Sequence, residues 1–410
     1  MSHEETARFD PFAAETLADP YPFYRALRAA PPARVAEGGY YLVSRYDDVR
    51  AAALDVETFS SKFVAFLLQT GEGGVALTPR PSEDVGPPDV LAIQDPPRHG
   101  PQRKRMTRCL GREAIDAMEP TIAAIVSPML DGLIERGGGD LMAEVAFRVP
   151  VAVTLSLLAF PVADASWVKE KSDRAVELLS GIVTPGRLQE LVLSALELLA
   201  YASDRWAEVS RGARATSAIT GQLLEGVRAG EFGDAEAASM CMQLLIAGSD
   251  STSSLIGSAA RLLAERPELA EQLRKSPDLL PPFIEEVLRL EPPFLGHFRV
   301  TTRPTELGGA PLPAGAAVML LWGSANRDPR AFESPDSLLL NRPNGKNHLG
   351  FGHGIHLCVG AQLARRQARL ALGALLMRTK EISLSGGDLR YRPSAFVRTL
   401  DALPLRVRPA

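Results

Sequence analysis

Phe351-Gly-His-Gly-Ile-His-Leu-Cys358-Val-Gly360 is the stretch that decides how this 410-residue chain is read. Cys358 stands in a glycine-rich turn directly ahead of an apolar helical pattern. Backbone N–H groups in such a turn, with the positive end of a helix, favour a thiolate and lower its pKa. A thiolate of that kind serves as a metal ligand or as a nucleophile. Gly352, Gly354 and Gly360 permit tight backbone geometry and the close approach of a flat object. Two other readings stand beside this one. Most lone cysteines are buried structural residues. A Cys-His hydrolase needs only a spatially adjacent histidine, but it leaves the glycines unexplained.

Outward from the cysteine, a helix is expected from about Val359 to Thr379, followed by β structure between Glu381 and Val407. Upstream, Gly308 to Trp322 reads as two strands joined at Pro313-Ala-Gly315. From Pro101 to about Leu290 the periodicity is almost wholly helical, with segments at Ala114 to Arg136, Leu188 to Val209 and Ala235 to Arg266. Tyr21 to Ala29 reads as a helix, Ala33 to Arg45 as a β-hairpin turning at Gly38-Gly39, and Asp47-Asp48 opens another helix. Ser60 to Gln94 reads as a long loop holding an apolar knot, Phe63 to Leu68; such loops are often functional. The expected architecture is one domain, 1–410, mainly α with small β-sheets (α+β), β-rich over about 30–60 and at the C-terminal strands.

Composition narrows the function classes. Apolar residues make up 46% and charged residues 23%, ordinary for a globular chain. Lys and Arg total 45 against 49 Asp and Glu, a net charge of −4, so no basic field argues for nucleic acid. Cys109, Cys241 and Cys358 are too few and too scattered for a disulfide framework, which fits a reducing, cytoplasmic setting. The N-terminus MSHEETARFD is polar and acidic, unlike a signal peptide. The longest apolar stretch, near Val149 to Val162, is cut by Pro150 and Pro161 and falls short of the roughly 20 residues a membrane span needs.

Two further patterns carry polar chemistry. Glu286 and Arg289 share one helix face and can pair; the apolar flanks Phe283, Ile284, Val287, Leu288 and Leu290 imply burial of that pair. Leu244 to Ser254 is an apolar helix that abruptly carries five hydroxyls and Asp250. Either the helix breaks there, with Gly248 past its end and a serine capping the next one, or it continues and its hydroxyls bend the backbone ladder to open a groove.

The cysteine stretch resembles the haem-binding signature of the cytochrome P450 family, Phe-x-x-Gly-x-His/Arg-x-Cys-x-Gly; Phe351, Gly354, His356, Cys358 and Gly360 fill its fixed positions. The resemblance runs from Asp19-Pro-Tyr-Pro through Asn326-Arg-Asp-Pro329 to the C-terminal strands, at the length of the soluble bacterial type. It implies the P450 fold, with haem b (iron protoporphyrin IX) between a long distal helix and the cysteine-ligand loop. Cys358 is then the axial thiolate ligand, and Phe351, Gly352, Gly360, Ala247 and Gly248 lie against the haem. Ala247-Gly248-x-Asp250 matches the family's distal helix and favours the continuous helix; Ser251 replaces the usual threonine, and Thr252 stands beside it. Asp250, Ser251 and Thr252 are the implied catalytic proton carriers. Asp95-Pro-Pro-Arg-His99 with Arg103 resembles a propionate-binding segment, and Arg299 and His356 match positions of the same role. Glu286, Arg289 and Arg342 match the family's structural triad.

By family position, the substrate pocket takes Phe66, Leu67, Met240, Gln243, Leu244, Ala247, Phe294, Leu295, His297 and Phe396, lining suited to a sizeable, largely apolar small molecule. The implied reaction is O₂-dependent insertion of one oxygen atom, with electrons from NAD(P)H through a ferredoxin reductase and ferredoxin. Arg98, Lys104, Arg108 and Arg112 near the incoming helix, with Arg366 and Arg369 after the cysteine, would form the basic docking face. A monomer acting without membrane or nucleic acid, in secondary metabolism, completes this reading. A peroxide-using or electron-independent haem-thiolate catalyst and a non-enzymatic haem sensor are the alternatives.

Overall fold

The computed structural model describes residues 11–35, 39–62, 65–70, 75–80, 87–180 and 182–410. Helices α1 (Ala14–Ala18) and α2 (Tyr21–Arg28) lead into the antiparallel hairpin β1 (Ala33–Val35) and β2 (Tyr40–Val43), then α3 (Tyr46–Leu54) and β3 (Phe59–Ser60). A second hairpin, β4 (Ala65–Gln69) and β5 (Val75–Pro79), stands where a loop is expected from sequence. Its arms carry period-two alternation: Leu67 is buried in one hydrophobic cluster, while Phe66 and Leu68 belong to another. Phe63 lies outside the described residues.

The helical body runs through α4 (His99–Cys109), α5 (Arg112–Ala117), α6 (Glu119–Glu135), the short strand β6 (Gly138–Asp140), α7 (Val149–Leu157), α8 (Ala165–Glu177), α9 (Pro185–Ser210) and α10 (Ala218–Arg228). It continues through α11 (Asp234–Glu265), α12 (Pro267–Lys275) and α13 (Leu280–Leu290). The starts of these helices follow local chemistry. Thr184 caps α9 by accepting from the Arg187 N–H at 3.3 Å, Ser217 and Thr220 close a reciprocal capping box on α10, and Glu236 accepts from the Gly233 N–H at 2.9 Å to open α11. The single helix expected from Ala114 to Arg136 is two, α5 and α6, meeting at Met118.

The C-terminal part holds β7 (His297–Thr301), β8 (Thr305–Leu307), β9 (Ala310–Leu312), β10 (Ala317–Leu320), α14 (Trp322–Ala325), α15 (Ala361–Arg378), β11 (Thr379–Leu384) and β12 (Pro404–Pro409). The two strands expected on either side of Pro313-Ala-Gly315 are present as β9 and β10, but they do not pair with each other. β9 pairs with β8, while β10 inserts between β2, in parallel, and β7. The burial explains the difference: every residue of β10 is buried, which suits a central strand, whereas β9 alternates. The main sheet, ordered β1-β2-β10-β7-β3, thus joins strands from the first 60 residues to strands between residues 297 and 320, while the C-terminal strands lie in a sheet of their own. β6 is paired within the sheet β11-β12-β6. No helix among the described residues is long and apolar enough to cross a membrane.

Candidate active site

The cysteine loop closes on itself. Cys358 N–H donates to Phe351 O at 2.8 Å and Leu357 N–H to Gly354 O at 3.1 Å. Gly352 and Gly354 have φ of +74° and +73°, and a side chain on Gly354 would stand 2.6 Å from Ala53 O, so this glycine lets the loop lie directly on α3. Gly350 packs as tightly on α13, its missing Cβ falling 2.7 Å from Leu288 O. Cys358 keeps accessible surface although protein surrounds the thiol, so it opens onto interior space. Burial pushes the thiol pKa up; a hydrogen bond from Gly360 N–H and the charges of Arg103 and Arg365 pull it partly back. The lowered pKa expected from the turn alone is therefore corrected: burial outweighs the dipoles. A buried thiol of this kind ionises on a metal cation, which suits a ligand better than a free nucleophile.

α11 is one unbroken helix of 32 residues. Its serine hydroxyls from Ser249 to Ser254 bond back to the ladder: Ser249 donates to Ile246 O at 3.2 Å, Ser251 to Ala247 O at 2.8 Å, Ser253 to Ser249 O at 2.6 Å and Ser254 to Asp250 O at 3.0 Å. Gly248 is no helix end. A Cβ there would meet Thr154 Oγ1 at 2.7 Å, so it admits α7 to close contact. Leu244, Ala247, Gly248 and Ser251 fall on one face at helical spacing, and each keeps accessible surface in the middle of a largely buried element. Thr252 is buried in the packing off that stripe.

Asp250 is buried and turned towards other groups. Its Oδ2 accepts from Thr399 Oγ1 at 3.4 Å, and Thr399 also bonds Ser254 Oγ. Lys169 Nζ stands 3.7 Å from Oδ1, which has no hydrogen-bond partner. Lys169 pairs with Asp173, which in turn accepts from Arg392 at 3.2 Å. Burial raises the Asp250 pKa, and Lys169 only partly offsets it. Asp250, Thr399, Asp173 and Arg392 border a cavity of about 490 Å³ whose lining also includes Glu177 and Arg187.

A second polar set gathers near the cysteine. His99 and Arg103 lie one turn apart on α4, and the His99 ring sits 4.5 Å from His356. Burial lowers the pKa of His99, Arg103, Arg299 and His356, the last two to about 10 and about 3. Neither ring nitrogen of His356 has a partner, and Arg299 donates only to Phe298 O, at 2.8 Å. Among the described residues, neither Arg103 nor Arg299 has an ion pair. Buried donors and cations without a counter-anion fit a ligand with two carboxylates. An interior thiol and an accessible helix stripe fit its metal-bearing ring, so the residues present fit haem.

Of the residues expected to line a substrate pocket, the fold gathers Phe294, His297 and Phe396, with ring centroids 5.1–5.4 Å apart. Leu67 and Leu295 share their hydrophobic cluster. Phe66 packs with Leu68 and Leu191 instead, because it faces the other side of β4. Met240 is fully buried in the main core, and Gln243 is tied to the backbone of Val90 and Ala92 at 3.2 and 3.3 Å. Both therefore serve packing in this structure.

Arg289 grips Glu286 with two bonds of 2.7 and 2.9 Å, and Arg342 adds a third at 2.9 Å. Arg289 further binds Asn326 O, Pro335 O and Ser337 O, so the cluster pins the segment leading to the cysteine loop. Burial alone would raise the Glu286 pKa, but the bonds from Arg289 and Leu339 N–H and the charge of Arg342 hold it below the usual range. Next to it, Glu285 takes a bidentate grip from Arg365 and a bond from His348 at 3.1 Å. Sequence reasoning missed this second brace, as it missed Thr399, Lys169 and Trp322.

Arg112, Arg366 and Arg369 do meet, around a shallow pocket of about 160 Å³. Arg366 is paired with Asp116 and Glu119, and Arg369 with Glu119 at 2.9 Å. Arg98 pairs with Glu236 at 2.8 Å on α11, while Lys104 and Arg108 are exposed.

Comparison with known proteins agrees with this geometry. The family model "Cytochrome P450" matches residues 200–389. Cytochrome P450 144 of Mycobacterium tuberculosis is 39% identical over 404 residues, covering 97% of this chain and 91% of that one. Vitamin D(3) 25-hydroxylase of Pseudonocardia autotrophica is 32% identical over 411 residues, covering 98% of both. The solved structure of cytochrome P450 CREJ with (4-ethylphenyl) dihydrogen phosphate superposes with a TM-score of 0.90 at 26% identity, covering 98% of this chain and 100% of that one. A relative this similar along nearly the whole chain, built on the same fold around an interior cysteine, makes the protein a member of the cytochrome P450 family, the haem-thiolate monooxygenases.

Proposed function

We propose that this chain hydroxylates or epoxidises a largely apolar small molecule of secondary metabolism, drawing electrons from NAD(P)H through a ferredoxin reductase and an acidic ferredoxin. The observation that carries it is Cys358, an interior thiol in a chain that also presents an accessible helix stripe and, near the cysteine, an unpartnered buried imidazole beside two arginines without ion pairs among the described residues. Cys358 Sγ would hold the haem iron; His99, Arg103, Arg299 and His356 would hold its carboxylates. When bound, haem supplies the reductive activation of O₂ and the insertion of one oxygen atom.

The chain's own share is orientation and proton supply. Asp250, with a raised pKa and one unbonded oxygen at the edge of a polar cavity, suits a group that takes a proton from water there. Ser251 Oγ, anchored on Ala247 O, can pass a proton on from the accessible side of the helix. Thr252, being off the stripe, is a poorer carrier. The apolar cluster of Leu67, Phe294, Leu295 and Phe396 supports an apolar substrate, and the relative named for hydroxylating vitamin D(3) supports hydroxylation. The arginines around the shallow pocket on α15 support docking of an acidic partner.

Turnover tests the reading. With reduced ferredoxin, substrate oxidation is expected to consume one O₂ per product; oxidation driven equally well by peroxide alone would favour the peroxide-using class.

A further inference from the structure

Trp322 is buried at the start of α14, and its indole N–H donates to His297 Nδ1 at 2.7 Å. An indole nitrogen is a donor only, so Nδ1 must accept and the neutral ring carries its proton on Nε2. Burial and the nearby Arg299 hold the His297 pKa down at about 3, so the ring stays neutral. Phe294 and Phe396 wall it at 5.2 and 5.1 Å, yet the residue keeps accessible surface. Among the described residues nothing accepts a bond from Nε2. Its aromatic walls set His297 apart from His99 and His356, which lie ring to ring with Arg103 and Arg299 close by. The arginines fit that set for carboxylates, whereas a neutral imidazole between aromatic rings suits an uncharged oxygen, and an apolar ligand without one leaves the donor unpaired.

We propose that Trp322 locks His297 as a neutral Nε2–H donor, which selects substrates bearing a carbonyl oxygen on an otherwise apolar skeleton. This rests on the monooxygenase reading and specifies its substrate class. Trp322 is then a positioning residue and His297 a specificity-determining one.

The test uses the ferric holoenzyme and matched ligand pairs: acetophenone with α-methylstyrene, and 2-acetylnaphthalene with 2-isopropenylnaphthalene. Each pair exchanges C=O for C=CH₂ at nearly constant shape. Optical titration is expected to show the ketone bound about tenfold more tightly. His297→Phe should abolish that preference while the hydrocarbons bind as before. Trp322→Phe, and Trp322→Tyr should the first fold poorly, should weaken it. Nitrogen-15 NMR should place the wild-type imidazole proton on Nε2 and show both tautomers once Trp322 is replaced. A wild type with no ketone preference in either pair, a preference that survives in His297→Phe, or a proton on Nδ1 overturns the proposal. Loss of haem from His297→Phe also overturns it, by assigning the donor to a haem carboxylate. The reduced, carbon monoxide-bound spectrum of the wild type separates failure of this inference from failure of the reading beneath it. A normal thiolate spectrum without ketone preference defeats this inference alone, and an absent one defeats the monooxygenase reading itself.

Discussion

Cys358 and Asp250 share a physical situation: burial disfavours the ionised form of each, and the roles proposed for them require that form to be reached. For Cys358 a metal cation would do this. Cys358→Ala is expected to leave the far-UV circular dichroism intact and remove the thiolate-type haem spectrum. For Asp250 the cost is offset only in part by Lys169 and Thr399. Asp250→Asn is expected to lower turnover by about 10²-fold or more, within the range for a lost proton carrier, with haem content unchanged. Steady-state rates and the haem-to-protein ratio check both halves. The partners of Asp250 were not legible in sequence. Thr399 lies 149 residues away and acts through a lone hydroxyl, a residue type with no spacing signal.

Elements show how local spacing becomes legible or fails. The cysteine motif and the pair Glu286–Arg289 are readable because the members of each sit within ten residues of one another in the chain. The second brace is not, because His348 meets Glu285 across 63 residues. Leu244 to Ser254 was ambiguous in sequence because serine both caps helices and bonds back within them; the structure has the second arrangement throughout. Gly248 matters as a contact between α7 and α11. Gly248→Ala is expected to cost about 1–3 kcal/mol by overpacking. Thr154→Ala in the same chain should recover most of that loss, because it removes the Oγ1 that the new Cβ meets. Urea denaturation of the two single variants and the double variant gives the coupling; strict additivity would rule the contact out. Glu286→Gln leaves two arginines in the core without their shared anion. It should cost about 3–5 kcal/mol, read as lower urea stability and faster haem loss.

Across the whole molecule, sheet pairing was the least legible feature. Which strand lies beside β10 depends on β2, from the other end of the chain, and a short apolar run does not name its partner. The two glutamates of α13 also give the fold a pH dependence. Bonds from Arg365 and His348 outweigh burial and lower the Glu285 pKa from an ordinary 4.5 to about 2. A depressed carboxylate stabilises above its unfolded pKa, and that contribution is lost as pH falls from about 4.5 towards 2. Glu285→Gln should therefore flatten the stability profile in this window and leave the slope above it unchanged, as thermal denaturation across pH can measure. On the proximal side, Arg112→Glu is expected to weaken ferredoxin-driven turnover, with a penalty that shrinks as salt is added.

The role proposed for Cys358 is to hold, as a thiolate, the iron of a haem. The absorption spectrum of the reduced, carbon monoxide-bound protein tests it most directly. A strongly red-shifted Soret band is predicted. A Soret band where histidine-ligated haem proteins absorb, or no haem spectrum after reconstitution, would contradict the account.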